Sequence, residues 1–164
     1  MKRIFETATE AKTVPLVRRH PYTSGQTFLK GAVLVRNAAG TVEEGGADPT
    51  SIIGVALERA GSGLGHEVDF DSQVSVKTGV ENKVSYAVAK NQVFSGRGVN
   101  PNSSTDPVIP QVTHIGENYG IVKTGDGSWA IDFSETSNTR VVITGILPEI
   151  DAFLFKFLDT AVAE

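Results

Sequence analysis

Three histidines, His20, His66 and His114, are the side chains of this 164-residue sequence best suited to proton transfer or metal binding near neutral pH. They stand far apart, and no two have the i, i+4 spacing that places ligands on one helix face. A metal site or a Ser-His-Asp arrangement would therefore require the fold to bring distant residues together. The sequence has no cysteine, which excludes thiol chemistry, disulfides and cysteine-ligated zinc. We predict no metal, no other cofactor and no catalytic residue.

An acidic row is the second arrangement with possible chemistry. Glu67, Asp69 and Asp71 alternate with Val68 and Phe70, so a strand would place the three carboxylates on one face. Carboxylates bind calcium, but the sequence around this row has no glycine-bearing loop with EF-hand spacing. A solvated strand face is the better interpretation.

A glycine-rich run at residues 61–65 is the best candidate for a phosphate-binding loop. Such a loop needs a helix N-terminus after it, whereas the alternating residues that follow predict a strand. A hairpin turn is therefore favoured. The sequence contains no Gly-x-x-x-x-Gly-Lys-Ser/Thr loop and no Gly-x-Ser-x-Gly elbow. These observations favour a binding or structural protein over an enzyme.

The composition is that of an acidic globular protein rich in turn-forming residues. Hydrophobic residues make up 40% and charged residues 21%, and the 17 glycines and 7 prolines favour β structure with tight turns. The net charge of −4 argues against a nucleic-acid partner, because phosphates are bound by basic surfaces. No apolar run is long enough to span a membrane, and the first residues lack the apolar stretch of a signal peptide. We expect an all-β protein with neither a nucleic-acid nor a membrane partner.

Residues 28–56 form the pattern around which the rest of the sequence is organised. Apolar runs at 28–36 and from 52 to 58 predict two strands, with a short return strand at 42–44. Glycines and an Asp-Pro pair between the runs are typical of turns.

Further strands are predicted in the second half of the sequence. Alternation predicts a strand at 83–89, and a Thr-Gly-Asp-Gly turn at 124–127 joins strands at 114–124 and 129–133 into a hairpin. Residues 140–146 are β-branched and predict another strand. Residues 150–162 fit both the helical and the strand period, and their aromatic residues favour a strand.

The sequence divides into an N-terminal arm, residues 1–24, and one β-domain, residues 25–164. The arm contains two prolines and five basic residues, which suits either a frayed terminus or an extended segment lying on an acidic partner. Residues 94–111 have three prolines and no periodicity, and predict a long irregular loop that touches a neighbouring protein. The candidate partner contacts are Val14, Leu16, Arg18, Arg19 and Arg97.

Several stretches resemble one known family. The run Phe-Leu-Lys-Gly-Ala-Val-Leu-Val at 28–35 and the run Ser-Ile-Ile-Gly-Val-Ala at 51–56 resemble the N-terminal half of capsid decoration (cement) proteins of tailed bacteriophages. Residues 119–122, 127–132 and 139–146 are similar to other phage virion β-domains. The resemblance implies a small β-barrel or β-clip fold, a homotrimer, and an N-terminal arm that reaches onto the capsid.

The resemblance also implies a mechanical function. Such a protein binds the outer surface of the expanded head shell, bridges subunits of the major capsid protein and stabilises the DNA-filled capsid. Binding only the expanded state stabilises that state by mass action, and many symmetric copies multiply a modest affinity. The expected location is the capsid exterior of the virion, and the host cytoplasm during assembly.

Two other functions stay open at this stage. A surface adhesion or glycan-binding β-module could use Trp129, Tyr22 and Tyr119 as stacking platforms, although each of them is equally suited to a core. A β-clip enzyme such as a dUTPase shares the glycine-punctuated β pattern, but the polar active-site motifs of those enzymes have no match in this sequence.

Overall fold

A computed structural model gives the fold and describes residues 5–7, 15–60, 83–101 and 104–163. Within these ranges the chain forms short strands and two 3₁₀ helices, which confirms the all-β class. The strands are β1 (Glu6–Thr7), β2 (Val17–Pro21), β3 (Val33–Arg36), β4 (Val42–Glu44), β5 (Ile52–Ala56), β6 (Lys83–Val88), β7 (Phe94–Gly96), β8 (Gly98–Asn100), β9 (Ser104–Val108), β10 (Asn118–Lys123), β11 (Trp129–Asp132), β12 (Val141–Leu147) and β13 (Ala152–Phe157). The 3₁₀ helices are Val112–His114 and Pro148–Ile150.

The pattern at residues 28–56 forms most of a five-stranded antiparallel sheet with the order β2-β6-β5-β3-β4. The first apolar run becomes a strand only at Val33, because the chain turns at Gly31, whose φ of +86° suits glycine. Phe28 instead makes an isolated antiparallel bridge with Ala60. The return strand β4 and the strand β5 lie where the sequence predicts them.

The five-stranded sheet closes at one end. Directly after β2, Tyr22 makes a parallel bridge with Val42 of β4, and the backbone N–H of Thr23 donates to the Val42 carbonyl at 2.8 Å. The hydroxyl groups of Thr23 and Thr41 are also hydrogen-bonded at 2.8 Å. The first and last strands of the sheet therefore meet there, as in a small barrel.

The second half of the chain forms an eight-stranded sheet with the order β1-β7-β13-β12-β10-β11-β8-β9. The predicted hairpin is confirmed, because β10 and β11 pair antiparallel across the turn at 124–127. Strand β12 is confirmed, and β13 shows that the final aromatic segment is a strand. The strand predicted from residue 114 begins at Asn118 instead, because the 3₁₀ helix Val112–His114 occupies the preceding residues.

The prediction of an irregular loop at residues 94–111 is wrong, because β7, β8 and β9 lie within it. β7 pairs with β13, and β8 pairs in parallel with β11. Strands of three residues are too short to show a period of two, so their partners, and not their own sequence, specify them. Pro107 lies in β9 at the edge of the sheet, where a missing backbone donor is tolerated.

The described parts of the N-terminal segment are extended, but they belong to the two sheets. β1 pairs with β7, and β2 pairs with β6 over five residues. Phe5 is buried against the Phe155 ring, with 4.7 Å between the ring centroids. The turn predicted at 61–65 and the alternating acidic row after it lie outside the described residues.

One hydrophobic core is shared by both sheets. It contains Tyr86 and Ile52 from the first sheet and Trp129 and Phe153 from the second. Glu44 connects the sheets through polar contacts. Its Oε1 accepts the Trp129 indole N–H at 2.9 Å, and its Oε2 accepts Lys123 Nζ at 2.7 Å.

Candidate partner-binding surface

Three of the five predicted contact residues lie together at one edge of the five-stranded sheet. Leu16 directly precedes β2, and Arg18 and Arg19 lie within it. Among the described strands, β2 is the first of its sheet and has β6 on one side only. We refer to residues 16–21 as the β2 edge. Val14 lies outside the described residues.

Hydrogen-bond alternation identifies the backbone groups that the β2 edge presents outward. The Leu16 carbonyl accepts a hydrogen bond from Val88 N–H at 2.9 Å, so Leu16 faces β6. In an antiparallel pair, residues bonded to the neighbour alternate with residues whose N–H and C=O point away. Val17, Arg19 and Pro21 therefore face away from β6. Pro21 has no N–H, which suits an outward position on an edge strand.

Only part of this outward side is covered within the described residues. The same alternation directs the Thr23 N–H outward, and it donates to Val42 of β4. No described residue bonds to the outward groups of Val17 or Arg19. The β2 edge thus has an N–H and a C=O at each of two residues that could pair with an added strand.

The side chains of the β2 edge combine apolar and cationic surface. Leu16 is 51% exposed and Val17 is 49% exposed. Arg18 and Arg19 are exposed as well, and neither forms an ion pair with a described carboxylate. Exposed arginines and aliphatic groups beside open backbone donors and acceptors suit an extended, acidic segment of another protein.

His20 is the titratable residue of the β2 edge. Its ring lies near Tyr86, with 5.9 Å between the ring centroids. Burial lowers the pKa of His20, and the positive charges of Arg36, Arg18 and Lys83 lower it further. The imidazole therefore lies in a locally positive region of a net acidic protein.

Arg97 lies elsewhere, between β7 and β8 of the second sheet. Its Nη2 donates to Thr124 Oγ1 at 3.2 Å and to Ser128 Oγ at 3.1 Å, and it lies 3.8 Å from Asp126 Oδ2. The structure therefore does not bring Arg97 together with the β2 edge. Its guanidinium is engaged by the turn of the β10–β11 hairpin.

A second exposed apolar surface follows β9 and was missed by sequence reasoning. Ile109 is 71% exposed, Val112 is 73% exposed and Ile115 is 43% exposed. The one signal in the sequence was their spacing of three, which is the period of a 3₁₀ helix, although only Val112 lies within the helix Val112–His114. Next to them, the His114 ring packs on Phe133 at 5.0 Å between centroids.

The aromatic residues considered for glycan stacking are mostly internal. Trp129 is 1% exposed and Tyr22 is 7% exposed, so neither offers a ring face to a ligand. Tyr119 is half-buried and packs on Phe133, with 4.2 Å between the ring centroids. Burial raises the pKa of Tyr119, and the negative charge of Glu117 raises it further. These positions do not favour the glycan-binding alternative.

The described residues offer neither a metal site nor a membrane-spanning helix. These residues contain no group of three or more His, Asp or Glu side chains placed to hold a metal ion. His20 lies in the first sheet, whereas His114 precedes β10 of the second, and His66 is outside the described ranges. No helix in the described part of the chain is long and apolar enough to cross a membrane.

Comparison with known proteins gives no match to a family model, to a curated protein or to a solved structure.

Proposed function

We propose that this chain is a capsid decoration protein of a tailed bacteriophage, bound to the outer surface of the expanded head shell through the β2 edge. One observation supports this proposal most. The backbone groups of Val17 and Arg19 that point outward have no described hydrogen-bond partner, and they lie beside exposed cationic and apolar side chains. The partner is the major capsid protein, and an extended acidic segment of it adds to β2 as a further strand.

The action is structural and not enzymatic. A homotrimer would carry three β2 edges, so that one trimer bridges several capsid subunits and stabilises the DNA-filled shell. Each contact raises the effective concentration of the next, and preference for the expanded shell stabilises that state by mass action. The protein is then located on the virion exterior, after passing through the host cytoplasm during assembly.

Co-sedimentation with expanded, undecorated phage shells tests this function. Deleting residues 1–24 is a poor tool, because it removes β2 and the buried Phe5 ring together. Point variants are better. We expect Arg18→Glu combined with Arg19→Glu to weaken binding at least about 100-fold, because two attractions become repulsions. Lys156→Glu on β13 is the control for an exposed cation elsewhere and should bind normally.

Two substitutions of Arg19, one to proline and one to alanine, test whether the partner adds to β2 as a strand. Arg19→Pro removes an outward N–H and leaves the hydrogen bonds between β2 and β6 intact, so the fold should survive while binding weakens beyond that of Arg19→Ala. Saturable binding by the unmodified chain, with equal affinities for Arg19→Pro and Arg19→Ala, would contradict strand addition. No saturable binding by the unmodified chain would contradict the proposed function.

A further inference from the structure

Three cationic or protonatable side chains share one face of the five-stranded sheet near its closure. Arg18 lies opposite Tyr86 and His20 lies opposite Val84, so both point to the face that carries these buried side chains. Residues directly opposite in a β-ladder share a face. Arg18 and His20 are therefore neighbours two residues apart on the same side of β2.

Arg36 reaches this group from another strand. It pairs with Val42 of β4, and Val42 makes the closing bridge with Tyr22. Tyr22 is two residues beyond His20 and thus on the same face. The closure of the sheet therefore brings the exposed Arg36 side chain to the part of β2 that holds His20 and Arg18.

The charges of this group are not balanced by nearby carboxylates within the described residues. Arg18, His20 and Arg36 form no ion pair there. On β4, Glu43 pairs with Val35 and so points to the opposite face, where its carboxylate accepts the Asn37 side-chain amide at 3.3 Å. Glu44 pairs with Leu34 and lies on the same face as Arg36, but its two oxygens accept hydrogen bonds from Trp129 Nε1 and Lys123 Nζ.

Among the described groups that face His20, Lys83 of β6 is a further cation, Tyr22 and Tyr86 contribute rings, and β5 carries no titratable side chain. Arg18, His20 and Arg36 therefore place like charges side by side when His20 is protonated, and this is costly unless an anion joins them.

We propose that Arg18, His20 and Arg36 form a binding site for an oxyanion, either a free sulfate or phosphate or a carboxylate of a bound protein. The two guanidinium groups supply forked N–H donors that match tetrahedral and carboxylate oxygens, and the imidazole supplies one more donor when protonated. The site does not depend on the proposed capsid function, because it is measured on the protein alone.

Binding should strengthen as the pH falls through the pKa of His20. The anion stabilises the protonated imidazole, so by linkage it raises the pKa that burial, Arg36, Arg18 and Lys83 lower. Sulfate is the suitable probe, because it keeps its double charge over the range in which histidine titrates.

The test is an NMR titration of the histidine ring protons with sodium sulfate, against sodium chloride at equal ionic strength. We expect sulfate to raise the pKa of His20 by about one unit. The ring-proton signals of His114, in the 3₁₀ helix before β10, should not respond to sulfate. Arg36→Gln should weaken sulfate binding about tenfold, whereas Lys156→Gln, which removes an exposed cation from β13, should not change it.

A second arm separates the two sources of the oxyanion. A glutamate-rich peptide that shifts His20 more strongly than sulfate would identify a protein carboxylate as the ligand, and the reverse order would identify a free inorganic anion. Equal responses of His20 and His114, or an unchanged response in Arg36→Gln, would overturn the site. Neither result bears on binding to capsid shells, so failure of the site and failure of the proposed function are distinguishable.

Discussion

Arginines of the β2 edge and the arginine at the β10–β11 hairpin have opposite surroundings. Arg18 and Arg19 lie on an edge strand, exposed and without a described carboxylate partner. Arg97 has a side chain that is 22% exposed, and its guanidinium bonds to Thr124 and Ser128 of its own protein. The same residue type thus offers its donors outward in one region and uses them inside the fold in the other.

The difference follows from the neighbouring backbone. A strand at the edge of a sheet has one free side, so its side chains and every second N–H are available to a partner. A residue between two short strands lies beside other elements, and here the turn at 124–127 supplies hydroxyl and carboxylate acceptors at the right distance. Whether an arginine of this protein is available to a partner therefore depends more on its position in a sheet than on its charge.

The largest expected effect comes from removing the support of the β2 edge. Gly54 of β5 lies against β6, and a Cβ at this position would overlap the Ala87 carbonyl oxygen and the Tyr86 ring. Because β2 is paired with β6, Gly54→Ala should disturb both strands and lower the free energy of unfolding by about 3 kcal/mol or more. Urea denaturation measures the change.

Gly46→Ala is the matched control for that substitution. A Cβ at Gly46 meets no atom within 4 Å, and the residue is not among those with positive φ. Its stability should stay within about 0.5 kcal/mol of the unmodified protein. Similar losses in both variants would contradict the assignment of the Gly54 effect to overlap with β6, because the unfolded-chain effect of a glycine-to-alanine change is stabilising.

An intermediate effect separates the two arginine regions directly. Arg97→Met removes hydrogen bonds to Thr124 and Ser128 and should destabilise the protein by about 1–2 kcal/mol. Arg19→Met removes an exposed side chain and should change stability by less than about 0.5 kcal/mol. Thermal or urea unfolding of the two variants gives the comparison, and equal losses would contradict it.

The sequence predicted those parts of the fold that have a long local signal. Alternation and turn chemistry were enough for β4, β5, β6 and the β10–β11 hairpin. They could not reveal β7 and β8, because three-residue strands depend on β13 and β11, which are distant along the chain. The helical spacing at 150–162 was overridden by pairing of β13 with β12.

The candidate surface was predictable in part for the same reason. The basic and apolar character of Leu16, Arg18 and Arg19 is visible in the sequence, but their place on an edge strand depends on long-range pairing with β6. The engagement of Arg97 by a turn some thirty residues later had no local signal. The contribution of Arg36 to the same face as His20 follows only from the bridge between Tyr22 and Val42.

The smallest expected effect is a pH dependence from His20 of the β2 edge, whereas Arg97 keeps its charge at all working pH values. The pKa of His20 in the folded protein is below its ordinary value of 6.5, through burial and then Arg36, Arg18 and Lys83. Between the two pKa values the unfolded chain binds more protons than the folded one, so stability falls as the pH is lowered through this window.

His20→Gln should remove this contribution, and Arg36→Gln should reduce it by taking away the leading positive neighbour. The measurement is the difference in unfolding free energy between each variant and the unmodified protein, followed from pH 7.5 down to about 5. Glu135 does not interfere, because backbone hydrogen bonds from Asn138 and Ser137 lower its pKa below 4.5, and its stabilisation is lost only at more acidic pH. A difference that stays constant between pH 7.5 and about 5 would contradict the lowered pKa of His20, because burial, its largest cause, persists whether or not an anion neutralises the surrounding arginines.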